Sequence, residues 1–446
     1  MATWKLPATV ATWIGQWANV LHRSHAWRLE PLLVGMLLAT GRKTVASWLR
    51  AGELGDDFQG YYYLLGSLGR KTKAIAAHLL RQAIDVIQPG ERLLFALDDT
   101  PTKRYGPHVQ GAGIHHNPTP GPAHQKYVYG HVWVTLAWVV QHACWGAIGL
   151  PLLALLYVRR KDVAGVPRRY GVCFQTKLEQ AADLVTWLAE RLRFLGKTLW
   201  IVADGAYAKK PFLLKAIAAG ATVVSRLRKD AALYSVPAVV PPGRRQRGRP
   251  RKYGADKLSL AKRAGHKRGW TTTTLRLYGD DVRLKYKTFL ATYRPAGGLI
   301  RVVLVRYEDA KEWRAYLCTD PQASVADVLT AVADRAAIEQ VFHDVKEVHG
   351  AGQQQVRNYW ANVAAYHVTL WMHTLIELWA WNQSQGQLVQ RQASPWDEAE
   401  RRPSHADRRK ALRRQCLQEA FAAAGLAARS STKIRALVAS LVRLAA

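Results

Sequence analysis

Leu94-Phe95-Ala96-Leu97-Asp98-Asp99-Thr100 is an apolar run that stops at two acids. Residues 92–97 read as a buried β-strand, and the acids fall where that strand leaves the core. A second run, Leu199-Trp200-Ile201-Val202-Ala203-Asp204-Gly205, ends in the same way. Strand ends at a sheet edge are where ligands reach an α/β core. A carboxylate there is costly to bury unless it is paired or binds a metal. Around these two strands the pattern predicts further strands at 127–140, 145–158 and 221–226. It predicts helices at 175–194 and at 208–219, the latter closed by Gly220. Three strands, a helix, then alternating strand and helix imply a mixed sheet in an α/β layer architecture.

A third acid lies far downstream, in Asp334-Arg335-Ala336-Ala337-Ile338-Glu339-Gln340-Val341-Phe342-His343-Asp344-Val345-Lys346. The pattern predicts a helix from about 324 to 348. Steps of four and seven residues bring Arg335, Glu339 and Lys346 to one face of it. Taken alone, that face is an exposed helix surface with an Arg335–Glu339 pair, worth only ~0.3–0.5 kcal/mol. Two strand-end aspartates and one helix-borne glutamate together are the parts of a two-metal phosphoryl-transfer site. An all-oxygen donor set selects hard ions such as Mg²⁺ or Mn²⁺. Strand alternation sends Asp98 and Asp99 to opposite faces. Asp98 is the expected ligand, with Asp99 as the alternative.

The 446 residues carry 64 Lys+Arg against 32 Asp+Glu, a net charge of +32. Such an excess points to a polyanionic partner, most often nucleic acid. The four cysteines Cys144, Cys173, Cys318 and Cys416 are widely spaced and form no Cys-x-x-Cys, so neither a zinc site nor a disulfide framework is implied. The expected compartment is a reducing bacterial cytoplasm, in association with the nucleoid. Residues 132–158 lack Asp, Glu, Lys and Arg over a length that could span a bilayer. Gln141-His142 and Gly149-Leu150-Pro151 interrupt them, and their Val and Trp content favours buried strands. His108, His115, His116, His124 and His131 crowd one region without metal-like helical spacing and read as loop and strand polar residues.

The flanks differ from the centre. Residues 1–88 read as helical. An apolar helix over 32–41 ends at Gly41 and is followed by a basic helix over 42–50, a spacing that suits either a helix-turn-helix or plain helical packing. Residues 226–315 read as a β-rich insertion. It opens with the Arg-Gly-Pro stretch around Gly243-Arg244-Arg245-Gln246-Arg247-Gly248-Arg249-Pro250, which cannot form a packed core. Within it, Arg247-Gly248-Arg249-Pro250 is similar to an AT-hook core, and a basic linker touching only phosphates is the competing reading. Residues 359–381 read as an apolar helix. A basic stretch from Arg401 to Arg414 and an amphipathic region over 417–444 follow. The expected organisation is a helical DNA-binding domain (1–88), a catalytic domain in two parts (89–225 and 316–382) split by the insertion (226–315), and a basic helical C-terminal region (383–446).

The Arg335, Glu339 and Lys346 spacing resembles that of bacterial insertion-sequence transposases of the DDE class, in the branch marked by Tyr-(2)-Arg-(3)-Glu-(6)-Lys. Val332 stands at the tyrosine position. Asp98-Asp99-Thr100 followed by Lys103, Asp204-Gly205-Ala206-Tyr207, and the run from Gly350 to Arg357 add to the likeness, which covers roughly residues 90–360. The resemblance implies a ribonuclease H-like catalytic domain in which Asp98, Asp204 and Glu339 hold two Mg²⁺ ions. It implies that Arg335, Lys346, Lys103 and Arg357 grip DNA. The implied activity is cleavage at transposon terminal repeats and joining of 3′-hydroxyl ends to target DNA, by a homodimer on double-stranded DNA with no membrane partner. A ribonuclease H-like nuclease without strand transfer and a non-catalytic DNA-binding descendant are the alternatives.

Overall fold

A computed structural model describes residues 4–117, 124–238, 251–308, 310, 312–389, 396–398, 400–423, 438, 441 and 442. Arg247 and Arg249, with the AT-hook-like stretch, lie outside the described residues, as does most of 424–446.

Six helices open the chain: α1 (Ala8–Ala18), α2 (Arg23–Ala26), α3 (Leu29–Leu38), α4 (Val45–Ala51), α5 (Phe58–Gly69) and α6 (Thr72–Ile87). The core strands follow as β1 (Arg92–Lys103), β2 (Gly113–His116), β3 (Tyr127–His142) and β4 (Gly146–Tyr157). Helix α7 (Lys177–Leu192) leads to β5 (Thr198–Ala203), and α8 (Lys210–Ala218) to β6 (Thr222–Leu227). The β-rich stretch supplies β7 (Leu233–Tyr234), β8 (Lys257–Leu258), α9 (Leu260–Gly265), β9 (Thr271–Leu277), β10 (Asp280–Tyr293), β11 (Gly298–Tyr307) and β12 (Arg314–Cys318). Last come α10 (Val325–Asp334), α11 (Ala336–Glu347), α12 (Tyr359–Ala380), α13 (Gln385–Leu388) and α14 (His405–Ala423).

All twelve strands join one sheet. Strand β3 runs antiparallel to both β1 and β4, whereas β1, β5 and β6 are parallel neighbours. This mixed order, with helices on both faces, is the mixed α/β sheet that the strand pattern predicts, and it agrees with the ribonuclease H-like architecture that the resemblance implies. The β-rich stretch extends the same layer: β12 pairs antiparallel with β6, and β11 and β10 continue outward. The charge-free 132–158 stretch forms β3 and β4, and no helix among the described residues is long and apolar enough to cross a membrane.

Strand alternation divides the core into two faces. Leu93, Phe95 and Leu97 of β1, with Ile201 and Ala203 of β5, pack in the larger cluster with α5, α6, α7 and α12. Leu94, Ala96, Trp200 and Val202 point the other way, into a smaller cluster with Val328 and Leu329 of α10 and Ile338 and Phe342 of α11. Helix α12 is predominantly apolar and buried along nearly its whole length, covered by β4, α5 and α14. Its approach to α5 depends on Gly69, where a Cβ would lie 2.0 Å from the Trp360 carbonyl oxygen.

The N-terminal half differs from expectation at 42–50. Thr44 caps α4 by accepting from Ser47 N, so Arg42 and Lys43 belong to the loop before the helix. The helix expected over 324–348 does start at the Ser324 cap and end at Val348, but it is interrupted at Arg335.

Candidate active site

The parallel register of β1 and β5 pairs Leu97 with Ala203, so Asp98 and Asp204 follow abreast. Asp204 lies just past the end of β5, whereas Asp98 lies inside β1, which does not stop at residue 97 but continues to Lys103 paired with β3. Both continue the parity of Leu94, Ala96, Trp200 and Val202 and therefore lie on the α10–α11 face. Asp99 lies on the other face. There it accepts from Lys177 Nζ at 2.5 Å, on the first residue of α7, and from Tyr207 Oη at 2.9 Å. Asp99 is thus satisfied within the protein, and Asp98 is the aspartate that shares a face with Asp204.

Helix α11 brings the third acid. Arg335, at its N-terminal boundary, donates from Nη1 to Asp98 Oδ2 at 2.8 Å and from Nη2 to Glu339 Oε1 at 2.7 Å. One guanidinium therefore bridges the β1 aspartate and the helix glutamate. Asp98 is largely buried, whereas Glu339 is 61% exposed. Burial pushes the Asp98 carboxyl up to about 6, with the like charges of Asp99 and Asp204 adding to the rise and Arg335 opposing it. Asp204 caps the short turn Gly205–Tyr207 by accepting from Ala206 N at 3.2 Å, and Ser225 Oγ donates to its carbonyl at 3.0 Å.

Lys346, two turns along α11, donates from Nζ to Thr100 Oγ1 at 2.6 Å, and burial lowers its pKa. These groups border an open cleft of about 1860 Å³ lined by Asp98, Asp99, Thr100, Lys103, Glu339, Phe342, His343 and Lys346. The run after α11 forms one wall. Arg104, buried beside β1, donates to the carbonyls of Gly352 at 3.1 Å and Gln354 at 2.9 Å, fixing that wall to the strand end. Gly352 sits there at φ +100°, with a Cβ position only 3.3 Å from the Lys103 carbonyl, so glycine is required by both backbone and space. Arg357 lies in an adjoining groove with Tyr105, His108 and Arg42.

Two contributors gave no local signal in the sequence. Arg42 lines the cleft from the N-terminal helical region, and Lys43 N donates to Gln353 Oε1 at 2.7 Å, across 310 residues of chain. Lys177 balances the charge of Asp99, and Tyr207 donates a hydrogen bond to it. Of the crowded histidines, His131 is fully buried between Arg104 Nε (3.0 Å) and the Gln110 carbonyl (3.0 Å), a structural role.

The chemistry of the donor set can be tested against a metal. Asp98, Asp204 and Glu339 offer only oxygens, and the like charges of Asp99 and Asp204 add to the burial that raises the Asp98 carboxyl. Both features fit a hard divalent cation. Their carboxylates do not converge within 4.8 Å of one another, because Arg335 separates Asp98 from Glu339.

Residues 17–282, more than half of the chain, match the sequence model of the DDE superfamily endonucleases. The chain belongs to that family, and membership implies a metal-dependent endonuclease. The matched span holds Asp98 and Asp204 and ends before Glu339. No curated protein matches the chain.

Proposed function

We propose that the protein is a DNA transposase that cleaves the ends of its element and joins the freed 3′-hydroxyls to target DNA. The observation that carries this reading is the shared face of Asp98, Asp204 and the α11 residues Arg335, Glu339 and Lys346, with Asp98, Glu339 and Lys346 lining an open cleft. Asp98, Asp204 and Glu339 would hold Mg²⁺, or Mn²⁺ in its place, as two ions. When bound, the ions supply activation of the attacking oxygen and stabilisation of the leaving oxygen.

The chain's own side chains do the rest. Arg335, released from its two carboxylates, presents two donors to a phosphate in the fork geometry that guanidinium favours. Lys346 holds a fixed positive charge beside Thr100, its position set by that hydrogen bond. Lys103 at the end of β1 and Arg357 in the adjoining groove extend the cationic track along a bound duplex. Arg247 and Arg249 add contacts from the basic linker. In the first step a water oxygen bonds to the scissile phosphorus and the 3′-oxygen leaves with a proton. In the second, that 3′-hydroxyl bonds to a target phosphorus and the target's own 3′-oxygen leaves. Residues 1–88 serve as the helical DNA-binding domain, and pairing two ends calls for a homodimer on DNA.

The test uses the purified chain, Mg²⁺ and duplexes taken from the inverted repeats flanking its gene. Cleavage should occur at the repeat boundary and be lost in Glu339→Gln. A pre-cleaved end supplied with target plasmid should yield joined products. Full cleavage by Glu339→Gln would refute the site, and cleavage without joining would reduce the function to that of a nuclease.

A further inference from the structure

A second set of donors gathers on the far side of α11 from the cleft. Asp344 lies on α11, His373 on α12 and His405 on α14; all three are buried, and one ligand atom from each lies within 4.8 Å of the others. His349, just beyond α11 and also buried, places its Nε2 2.8 Å from His405 Nε2. Buried polar atoms are ordinarily hydrogen-bonded. Here His373 Nδ1 has no hydrogen-bond partner, and its Nε2 stands 3.6 Å from Asp344 Oδ2, beyond hydrogen-bond reach.

His405 is held from behind. Its Nδ1 lies 2.6 Å from Glu377 Oε1, and Arg408 Nε lies 2.9 Å from Glu377 Oε2. A carboxylate that accepts from Nδ1–H leaves the lone pair on Nε2. This is the supporting contact that metal-ligating histidines ordinarily have.

We propose that Asp344, His349, His373 and His405 form a closed zinc site that fastens helix α14 to helix α11. Three imidazole nitrogens and one carboxylate oxygen are a tetrahedral zinc donor set and a poor one for Mg²⁺. For three atoms no more than 4.8 Å apart, a point exists within about 2.8 Å of all of them, so zinc bonds of ~2.0–2.1 Å need inward shifts under about 1 Å. The rings of His373 and His405 are stacked, with centroids 4.0 Å apart and planes at 16°, so their lone pairs lie in near-parallel planes and do not converge on one ion. One ring must turn. His405 is pinned by Glu377, whereas His373 has no bond at Nδ1 to break, and both border a cavity of about 310 Å³. In the metal-free protein His349 donates its Nε2–H to the Nε2 lone pair of His405. To take zinc, His349 changes to its Nδ1–H tautomer, giving up the Nε2 proton and gaining one at Nδ1, so both facing Nε2 atoms offer lone pairs with no net loss of a proton. With every ligand buried, the site is structural: it braces the helix that carries Glu339 and Lys346.

The full-length chain, stripped with chelator, would be incubated with zinc sulfate, desalted and analysed for bound metal and melting temperature. The expectation is one zinc per chain and a melting temperature raised by several degrees. Co²⁺ in its place should give the visible absorption of a tetrahedral site. The Asp98→Asn/Glu339→Gln double variant should keep its zinc. His373→Gln should lose the zinc and the thermal shift while melting like metal-free wild type. Wild-type protein that retains well short of one zinc overturns the proposal. So does zinc that survives His373→Gln but leaves with the double variant, because that metal would belong to the cleft.

Discussion

Replacing Asp98 by Asn should make the metal-free protein more stable at neutral pH while removing a site residue. The ordinary carboxyl value is 3.8, and burial, together with the neighbouring charges of Asp99 and Asp204, raises Asp98 to about 6 against the pull of Arg335. Below pH 3.8 the carboxyl is protonated in both folded and unfolded chains and the shift has no effect. Between 3.8 and 6 the unfolded chain has released a proton that the folded chain still holds, so folding is penalised increasingly as pH rises. Above 6 the penalty is complete, at about 3 kcal/mol for a shift of this size. Between pH 4.5 and 7.5 it grows by about 2 kcal/mol. Asn carries no such term, and its Oδ1 can still accept from Arg335.

The assay is urea unfolding in EDTA of wild type and Asp98→Asn at those two pH values. The stability difference between variant and wild type should move in the variant's favour by about 2 kcal/mol from pH 4.5 to 7.5. Comparing the two pH values removes any contribution of the substitution that does not titrate. Added Mg²⁺ at pH 7.5 should then stabilise wild type alone. A stability difference that is flat with pH, or that moves against the variant, would show that Asp98 is not held in its neutral form by this environment.

Asp99→Asn discriminates between the two adjacent aspartates: it gives up the Lys177 and Tyr207 contacts but should retain most end cleavage, whereas Asp98→Asn should retain none. Lys346→Met should fold normally by circular dichroism and cleave on the order of a hundredfold more slowly, the scale for losing one positioned donor at a reacting phosphate. Gly69→Ala should lower stability by about 1–3 kcal/mol in the same urea assay, because its methyl group would meet the Trp360 carbonyl that α5 packs against.

The strands and the parity of their residues could be read from the sequence. The apolar runs at 92–97 and 198–203 are long and unbroken, and alternation alone puts Asp98 and Asp99 on different faces. Which face holds the site could not be read, because that depends on where α11 packs, and α11 is more than 200 residues away. The interruption at Arg335 also left no trace: its backbone angles are helical, and what distinguishes it is a tertiary bond to Asp98. Position 42–44 failed for a local reason. The basic residues Arg42 and Lys43 read as the start of a helix that instead begins at Val45, after the Thr44 cap. The histidines at 349, 373 and 405 are too far apart in sequence for any spacing rule, and His373 lies in an apolar helix where it reads as an isolated core polar residue.

Helix α11 is where these separate contacts become one argument. Its N-terminal end is tied to β1 through Arg335 and Asp98, and its C-terminal half through Lys346 and Thr100. Two bonds to the same strand, more than two turns apart, fix both the tilt and the rotation of the helix over the sheet. Glu339 lies between them, and among the described residues its carboxylate is bonded only to Arg335. The position of its backbone is therefore set by bonds that do not involve its own carboxylate, while the carboxylate stays exposed. A divalent cation that drew Asp98 and Glu339 together would take over the charge balance that Arg335 now supplies to both, and would free the guanidinium for phosphate without shifting the helix. The sequence spacing of Arg335, Glu339 and Lys346 then has a mechanical reason: the outer two residues hold α11 at two points so that the middle one can act.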